Sequence, residues 1–191
     1  MRLIFLIALF PFFLQAQTPA ILTERDRAKL IDDVLEDRFS NLLPQLMRRE
    51  GIDMWVIISR EYNEDPVLKT MLPATWLSAR RRTIMVFFDR GEKEGVEKLA
   101  IARYDVGTLL KGAWDIDVRP NQWDALAAII TDRKPKKIGL NRSANYAHAD
   151  GLTATEQAVF LEKLPADYQK KIVSAENLAV GWLETRTPKE M

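Results

Sequence analysis

Arg48-Arg49-Glu50-Gly51-Ile52-Asp53-Met54-Trp55-Val56-Ile57-Ile58 is the stretch that decides the fold. Two arginines suit the negative end of a helix, and Gly51 suits a left-handed stop. Met54 to Ile58 is then a continuous apolar run. A strand with apolar residues at every position is buried on both faces, so it belongs to a sheet covered by helices on each side. The helix that should precede it begins at Thr23-Glu24-Arg25-Asp26, a capping-box pattern. It continues through Ile31, Val34, Leu35, Phe39, Leu42, Leu43, Leu46 and Met47 at helical spacing. Pro44 cannot donate to the carbonyl four residues back, so a kink or split is expected near Ser40-Asn41.

Working outward, Thr83 to Phe88 reads as a second buried strand. Gly-punctuated Asp89 to Gly95 reads as a hairpin-like connection, and Lys98 to Tyr104 as the third strand. Ile116-Asp117-Val118 reads as an edge strand. Asn121 caps a helix carrying Trp123, Leu126, Ile129 and Ile130. Lys137 to Asn141 is a short central strand. Thr153, with Glu156 three residues on, caps a helix that Pro165 stops. Ile172 to Ser174 is a final strand, and Ala175-Glu176 opens a last helix toward Leu183. This order predicts an α/β fold with a mixed, mainly buried β-sheet flanked by helices on both faces.

At the N-terminus, Met1-Arg2 precedes the apolar run Leu3 to Leu14, and Gln15-Ala16 follows. The run is too short to span a ~30 Å hydrocarbon core, and the pattern is that of a secretory signal over residues 1–16. The expected product is residues 17–191, exported to the periplasm or secreted, with no membrane association after cleavage. The chain has 28 basic and 27 acidic residues, and losing Arg2 leaves 27 against 27. No strong field draws it to nucleic acid.

The chain has no cysteine and one histidine, His148. Disulfides, thiolate metal sites and cysteine nucleophiles are excluded, and a His-rich metal centre with them. Ala147-His148-Ala149-Asp150-Gly151 offers one imidazole and one carboxylate, short of the three or four ligands a metal needs. Asn141-Arg142-Ser143 is a glycosylation sequon, meaningful only in a eukaryotic secretory host. Glu61, Glu64 and Asp65 follow the first strand, where open α/β sheets place their sites, and could be read as paired carboxylates. No nucleophile elbow, phosphate loop or HExxH helix accompanies them, so a polar connection is the plainer reading. Arg80-Arg81-Arg82 is the densest basic run: an anion or carboxylate clamp, or a solvated element end. Trp76 and Trp114 stand in polar connections, as core lids or interface anchors.

Taken in order, several segments resemble the N-terminal domain of the creatinase, prolidase and aminopeptidase P superfamily. Arg48 to Ile57 is similar to its helix-then-"G(I/L)DA" opening, and Asn63 falls where the family has an Asn after the first strand. Lys136-Lys137-Ile138-Gly139-Leu140 is similar to its "KKIGI" strand. Val173 to Leu178, followed by Glu184-Thr185-Arg186-Thr187-Pro188-Lys189-Glu190, resembles its exit into the catalytic domain. Asn63 to Leu68 and the long Leu72 to Arg81 stretch depart from the common pattern. That points to an exported Xaa-Pro aminopeptidase-like branch rather than creatinase.

The resemblance implies a creatinase N-terminal-like, ribonuclease H-like three-layer sandwich over residues 17–191. It implies a parent metallopeptidase that removes the residue before proline. The two divalent metal ions (manganese, cobalt or zinc) would be held by two Asp, one His and two Glu of a C-terminal pita-bread domain outside this chain. The chain itself would then hold no catalytic or metal-binding residue. It would cap the active site, restrict access to it and contribute to subunit contacts, in a homo-oligomer acting on peptides. Arg60, Tyr62, Asn63, Trp76, Arg80 and Arg81 are the residues expected to face substrate or an interface, with Tyr62 to Arg82 lying outside the core. The charged end at Met191 is expected to be a domain boundary. The alternatives are a free-standing exported α/β binding module for small peptides or anions, and a cryptic hydrolase built on Glu61, Glu64 and Asp65.

Overall fold

The computed structural model describes residues 21–191, so the leader expected over residues 1–16 lies outside the described residues. Helix α1 (Glu24–Asp37) opens on Thr23, whose hydroxyl accepts from Asp26 N–H. Arg38–Leu42 is one wide π turn, and α2 (Leu43–Glu50) follows. Leu43 N–H reaches back five residues to Arg38 O, and Pro44 sits in the first turn of α2, where a missing N–H costs little. The expected disruption near Ser40 therefore takes the form of a widened turn in a continuous helical path. Gly51 ends α2 at φ 62°, with Ile52 N–H donating to Met47 O at 3.0 Å.

Six strands follow: β1 (Met54–Arg60), β2 (Arg82–Asp89), β3 (Val96–Ala100), β4 (Lys111–Gly112), β5 (Ile138–Leu140) and β6 (Ile172–Ser174). Their order across the sheet is β4-β3-β2-β1-β5-β6. β1, β2 and β3 form an antiparallel meander, while β5 and β6 run parallel to β1. The alternation along β1 and β2 divides the core in two. Trp55, Ile57, Met85 and Phe87 meet α1, the π turn, α2 and α7 (Glu176–Glu184). Met54, Val56, Ile58, Ile84 and Val86 meet α4 (Gln122–Arg133) and α5 (Ala154–Lys163). This is a three-layer α/β arrangement with a mixed sheet, as the apolar run at Met54 to Ile58 predicts. Two short helices, α3 (Pro66–Lys69) and α6 (Ala166–Gln169), complete the set.

The structure departs from the sequence reading in three places. Ile116-Asp117-Val118 is a turn, in which Asp115 accepts from the N–H groups of Asp117 and Val118. The edge strand is Lys111–Gly112, where Gly112 packs so close to the Tyr104 carbonyl that a Cβ would overlap it. The third strand begins at Val96, earlier than expected, and its pairing stops at Ala100. The segment Tyr62 to Arg82 is not outside the core. Val67, Leu68, Met71, Leu72 and Ala79 are all buried in the cluster under α2 and α7. Their spacing hides a short helix and a tucked loop that no alternation announces.

Candidate functional site

β1, β3, β5 and β6 all end at the same edge of the sheet, and β2 begins there, with Arg60 paired to Arg82 in register. Open α/β sheets place ligands at this edge. Two arrangements of polar residues occupy it, one buried and one exposed.

The buried arrangement is a relay. Trp55 Nε1–H donates to Asn141 Oδ1 at 2.7 Å, and Asn141 Nδ2 donates to Asp65 Oδ2 at 2.9 Å. Asp65 Oδ1 accepts from the N–H groups of Val67 and Leu68 at 2.8 and 3.1 Å, capping α3. Asp65 N–H donates to Ser59 Oγ at 2.9 Å. Burial pushes the Asp65 carboxyl above its ordinary value, against the pull of the Asn141 amide and the two backbone donors. Asp65 is thus a structural cap. Glu61 accepts from Arg81 N–H, and Glu64 accepts from Tyr62 N–H. Each of the three acidic groups has its own backbone task, which favours the polar-connection reading over paired acid–base carboxylates. The sequon fares similarly: Asn141 is buried and both ends of its amide are engaged, so glycosylation would require the relay to open.

The exposed arrangement is a cleft of about 570 Å³ whose lining includes Arg80, Arg81, Arg82, Arg103, Tyr104 and Trp114. Arg82 is the anchored member. Its Nε and Nη2 donate to the two oxygens of buried Glu156 at 2.6 and 3.3 Å, and its guanidinium lies 4.6 Å from the Trp123 ring centroid. Arg60 approaches the same carboxylate at 3.6 Å. Arg80 lies over Trp76 at 4.7 Å, and Trp76 packs against Tyr104 with ring centroids 6.2 Å apart. Arg81 has a left-handed backbone, φ 45°.

Of the residues expected to face substrate or an interface, Arg80 and Arg81 line this cleft. Trp76 stands behind Arg80, and Arg60 joins from below through Glu156. Tyr62 and Asn63 lie in the tight turn after β1, off the cleft. Tyr62 is 92% exposed at φ 67°, and Asn63 N–H donates back to Arg60 O. Arg103 and Tyr104 are lining residues that sequence reasoning missed. Trp114 was singled out as an aromatic in a polar connection, but nothing local ties Arg103 to an arginine run some twenty residues earlier. His148 is exposed in a 3₁₀ turn, Ala147–Ala149. Among the described residues no three His, Asp or Glu side chains come together as a metal-ligand group, and no helix is long and apolar enough to cross a membrane.

The sequence matches no family model and no curated protein. Among solved structures, the fold is similar to an Xaa-Pro dipeptidase from Bacillus anthracis, at 11% identity and a TM-score of 0.44. The likeness covers 81% of this chain and 34% of that one. The class that fold and site define is a three-layer α/β domain with an arginine-lined cleft at the carboxyl edge of its sheet.

Proposed function

We propose that this chain is the non-catalytic N-terminal lobe of an exported, proline-specific metalloaminopeptidase. In this reading the parent enzyme's two metal ions and its hydrolytic residues belong to a separate pita-bread domain. This lobe covers that site, limits the peptides that reach it and takes part in subunit contacts. The observation that supports the reading is how the segments carrying the family resemblance sit together. Asp53, from the opening motif, accepts from the N–H groups of Lys136 and Lys137, from the strand motif, at 2.7 and 2.6 Å. Met54 N–H returns a bond to Lys137 O, and Ala175 N–H, from the exit motif, donates to Leu140 O at 2.9 Å. The three segments thus close into one hydrogen-bonded block, the first two of them more than eighty residues apart, with Gly139 pressed between Ile52 and Ala175.

The test is to recover the native protein from its host with an antibody raised against residues 21–191. The expected product begins at Gln17, is longer than this chain and, with manganese added, releases the first residue of an Xaa-Pro peptide. Residues 17–191 alone give no turnover. A native product ending at Met191, with no peptidase associated, would overturn the proposal. It would leave the exported binding module, which the arginine cleft favours.

A further inference from the structure

We infer that the cleft between the Arg80–Arg82 run and the Arg103–Tyr104 turn binds a small carboxylate that carries an apolar or aromatic group. This inference does not rest on the peptidase reading. Four arginines line the cleft, and one buried carboxylate, Glu156, serves Arg82 while also facing Arg60. Arg80, Arg81 and Arg103 have no carboxylate partner within ion-pair distance among the described residues. No acidic side chain lines the cleft: Glu61, which accepts from Arg81 N–H, and Asp115, which accepts from the N–H groups of Asp117 and Val118, are not among its lining residues. In a chain with nearly equal numbers of acids and bases, this is a local surplus of positive charge.

Two of the four cations, Arg82 and Arg80, are also held in place. Arg82 is fixed by a two-point bond to a buried carboxylate and by the Trp123 ring, so it cannot swing away. Arg80 is stacked on Trp76. Arg81 keeps a left-handed backbone, which L residues rarely adopt, so its main chain is held there by its surroundings. Guanidinium forks match a carboxylate through paired hydrogen bonds. Most of the remaining wall is apolar: Trp114, anchored by Nε1–H to Arg119 O at 2.7 Å, with Tyr104, Ile116 and Ala102, while the Gln122 amide that also lines it donates to Ile101 O. Such a wall rewards a ligand with hydrocarbon next to its charge and gives nothing to a bare inorganic anion.

The probe is phenylacetate, titrated calorimetrically into the 191-residue chain, with phenylacetamide and inorganic phosphate as comparisons. Phenylacetate is expected to bind saturably at low millimolar concentration or below, and more weakly as salt is raised. Phenylacetamide and phosphate should each bind roughly tenfold more weakly or worse, one lacking the charge and the other the ring. Arg81→Gln and Arg103→Gln should each weaken phenylacetate by roughly tenfold. Both side chains are exposed and unpaired, so the denaturation midpoint should stay unchanged. The remote exposed variant Lys93→Gln should bind as the parent does. Absence of saturable binding overturns the inference. So does equal affinity for the amide, phosphate binding as tightly as phenylacetate, or full affinity in both arginine variants.

Discussion

Asn141 donates from Nδ2 to the buried carboxylate of Asp65 at 2.9 Å, and that bond, with the one Asn141 accepts from Trp55, fixes which way its amide faces. Trp55 Nε1–H is a donor only, so Asn141 must offer it oxygen and turn nitrogen toward Asp65. Replacing Asn141 by Leu strands the indole N–H and one carboxylate oxygen in the core at once. We expect a loss of about 2–4 kcal/mol in chemical denaturation. Asn141→Asp should cost at least as much, because it sets two acceptor-only groups against each other. A loss below about 1 kcal/mol for either variant would show that the relay carries little energy.

The same carboxyl sets a pH dependence. Burial raises the Asp65 folded value above the unfolded one, so between the two the native state keeps a proton that the unfolded chain has released. Its contribution is fully present below the unfolded carboxylate value and is lost as pH rises through the folded one. Asp89 and Glu97 act in the opposite sense. Hydrogen bonds from Arg48 and Arg133 respectively hold their carboxyls low, so their stabilisation is lost as pH falls. Subtracting Asp65→Asn from the parent at each pH isolates the first effect. The parent's stability relative to the variant should decline from acid toward neutral pH. A difference that rises instead would mean that the Asp65 carboxyl is not raised.

Gly151 closes the relay from above. A Cβ there would fall 2.1 Å from Asp65 Oδ2 and 2.2 Å from its Cγ, and Asp65 is pinned by three donors, so neither partner can yield cheaply. Gly151→Ala should therefore destabilise by about 1–3 kcal/mol, as overpacking of a filled site does. In the Asp65→Ala background the same change should cost much less. An equal cost in both backgrounds would locate the strain elsewhere.

What could be read from sequence divides along physical lines. Signals that act within a few residues were legible: the buried run in β1, the Gly51 stop, and the caps at Thr23, Asn121 and Thr153. Glu156 shows the limit. Its N–H does bond the Thr153 hydroxyl, as the capping pattern says, but its side chain turns inward to Arg82, seventy-four residues away. The alternation in Ile116-Asp117-Val118 imitates a strand because a turn anchored by Asp115 also spaces its apolar residues by two. Asn141 reads locally as a sequon, and its role depends on Trp55 and Asp65, which only the fold brings near.

Trp76 belongs to the Tyr62 to Arg82 segment expected to lie outside the core, a rim position in which its loss would cost the domain little stability. It is half-buried, packed on the core cluster that holds Met71 and Leu72, between Tyr104 and Arg80. Trp76→Ala should cost about 1–2 kcal/mol in this domain alone, through the lost aromatic and cation–π contacts together with partial burial. A change under about 0.5 kcal/mol would restore the rim assignment, and one above about 3 kcal/mol would make Trp76 a full core residue.

Arg38 ties the chain's last segment to its first helix. Helix α7 has no basic residue in its last turn, so nothing on the helix itself meets its negative end. Arg38, presented inward by the π turn, supplies that charge from elsewhere. Its Nη2 donates to Trp182 O; its Nη1 donates to Thr185 O at 2.8 Å and reaches Glu190 Oε2 at 2.8 Å; and its guanidinium lies 4.3 Å from the Trp182 ring centroid. Arg38→Met preserves most of the buried hydrocarbon and removes all of these donors. The carbonyls are shielded and Glu190 is close to the surface, so we expect a loss of about 2–3 kcal/mol rather than that of a fully buried pair. Residues 185–191 should also become open to limited proteolysis. Glu190→Gln separates the contributions. It keeps an oxygen for Arg38 and for Thr187 N–H, so it should lose less than about 1 kcal/mol and leave the segment protected. If Glu190→Gln matched Arg38→Met in both readouts, the ion pair would be the clasp, and the carbonyl bonds to α7 would be incidental.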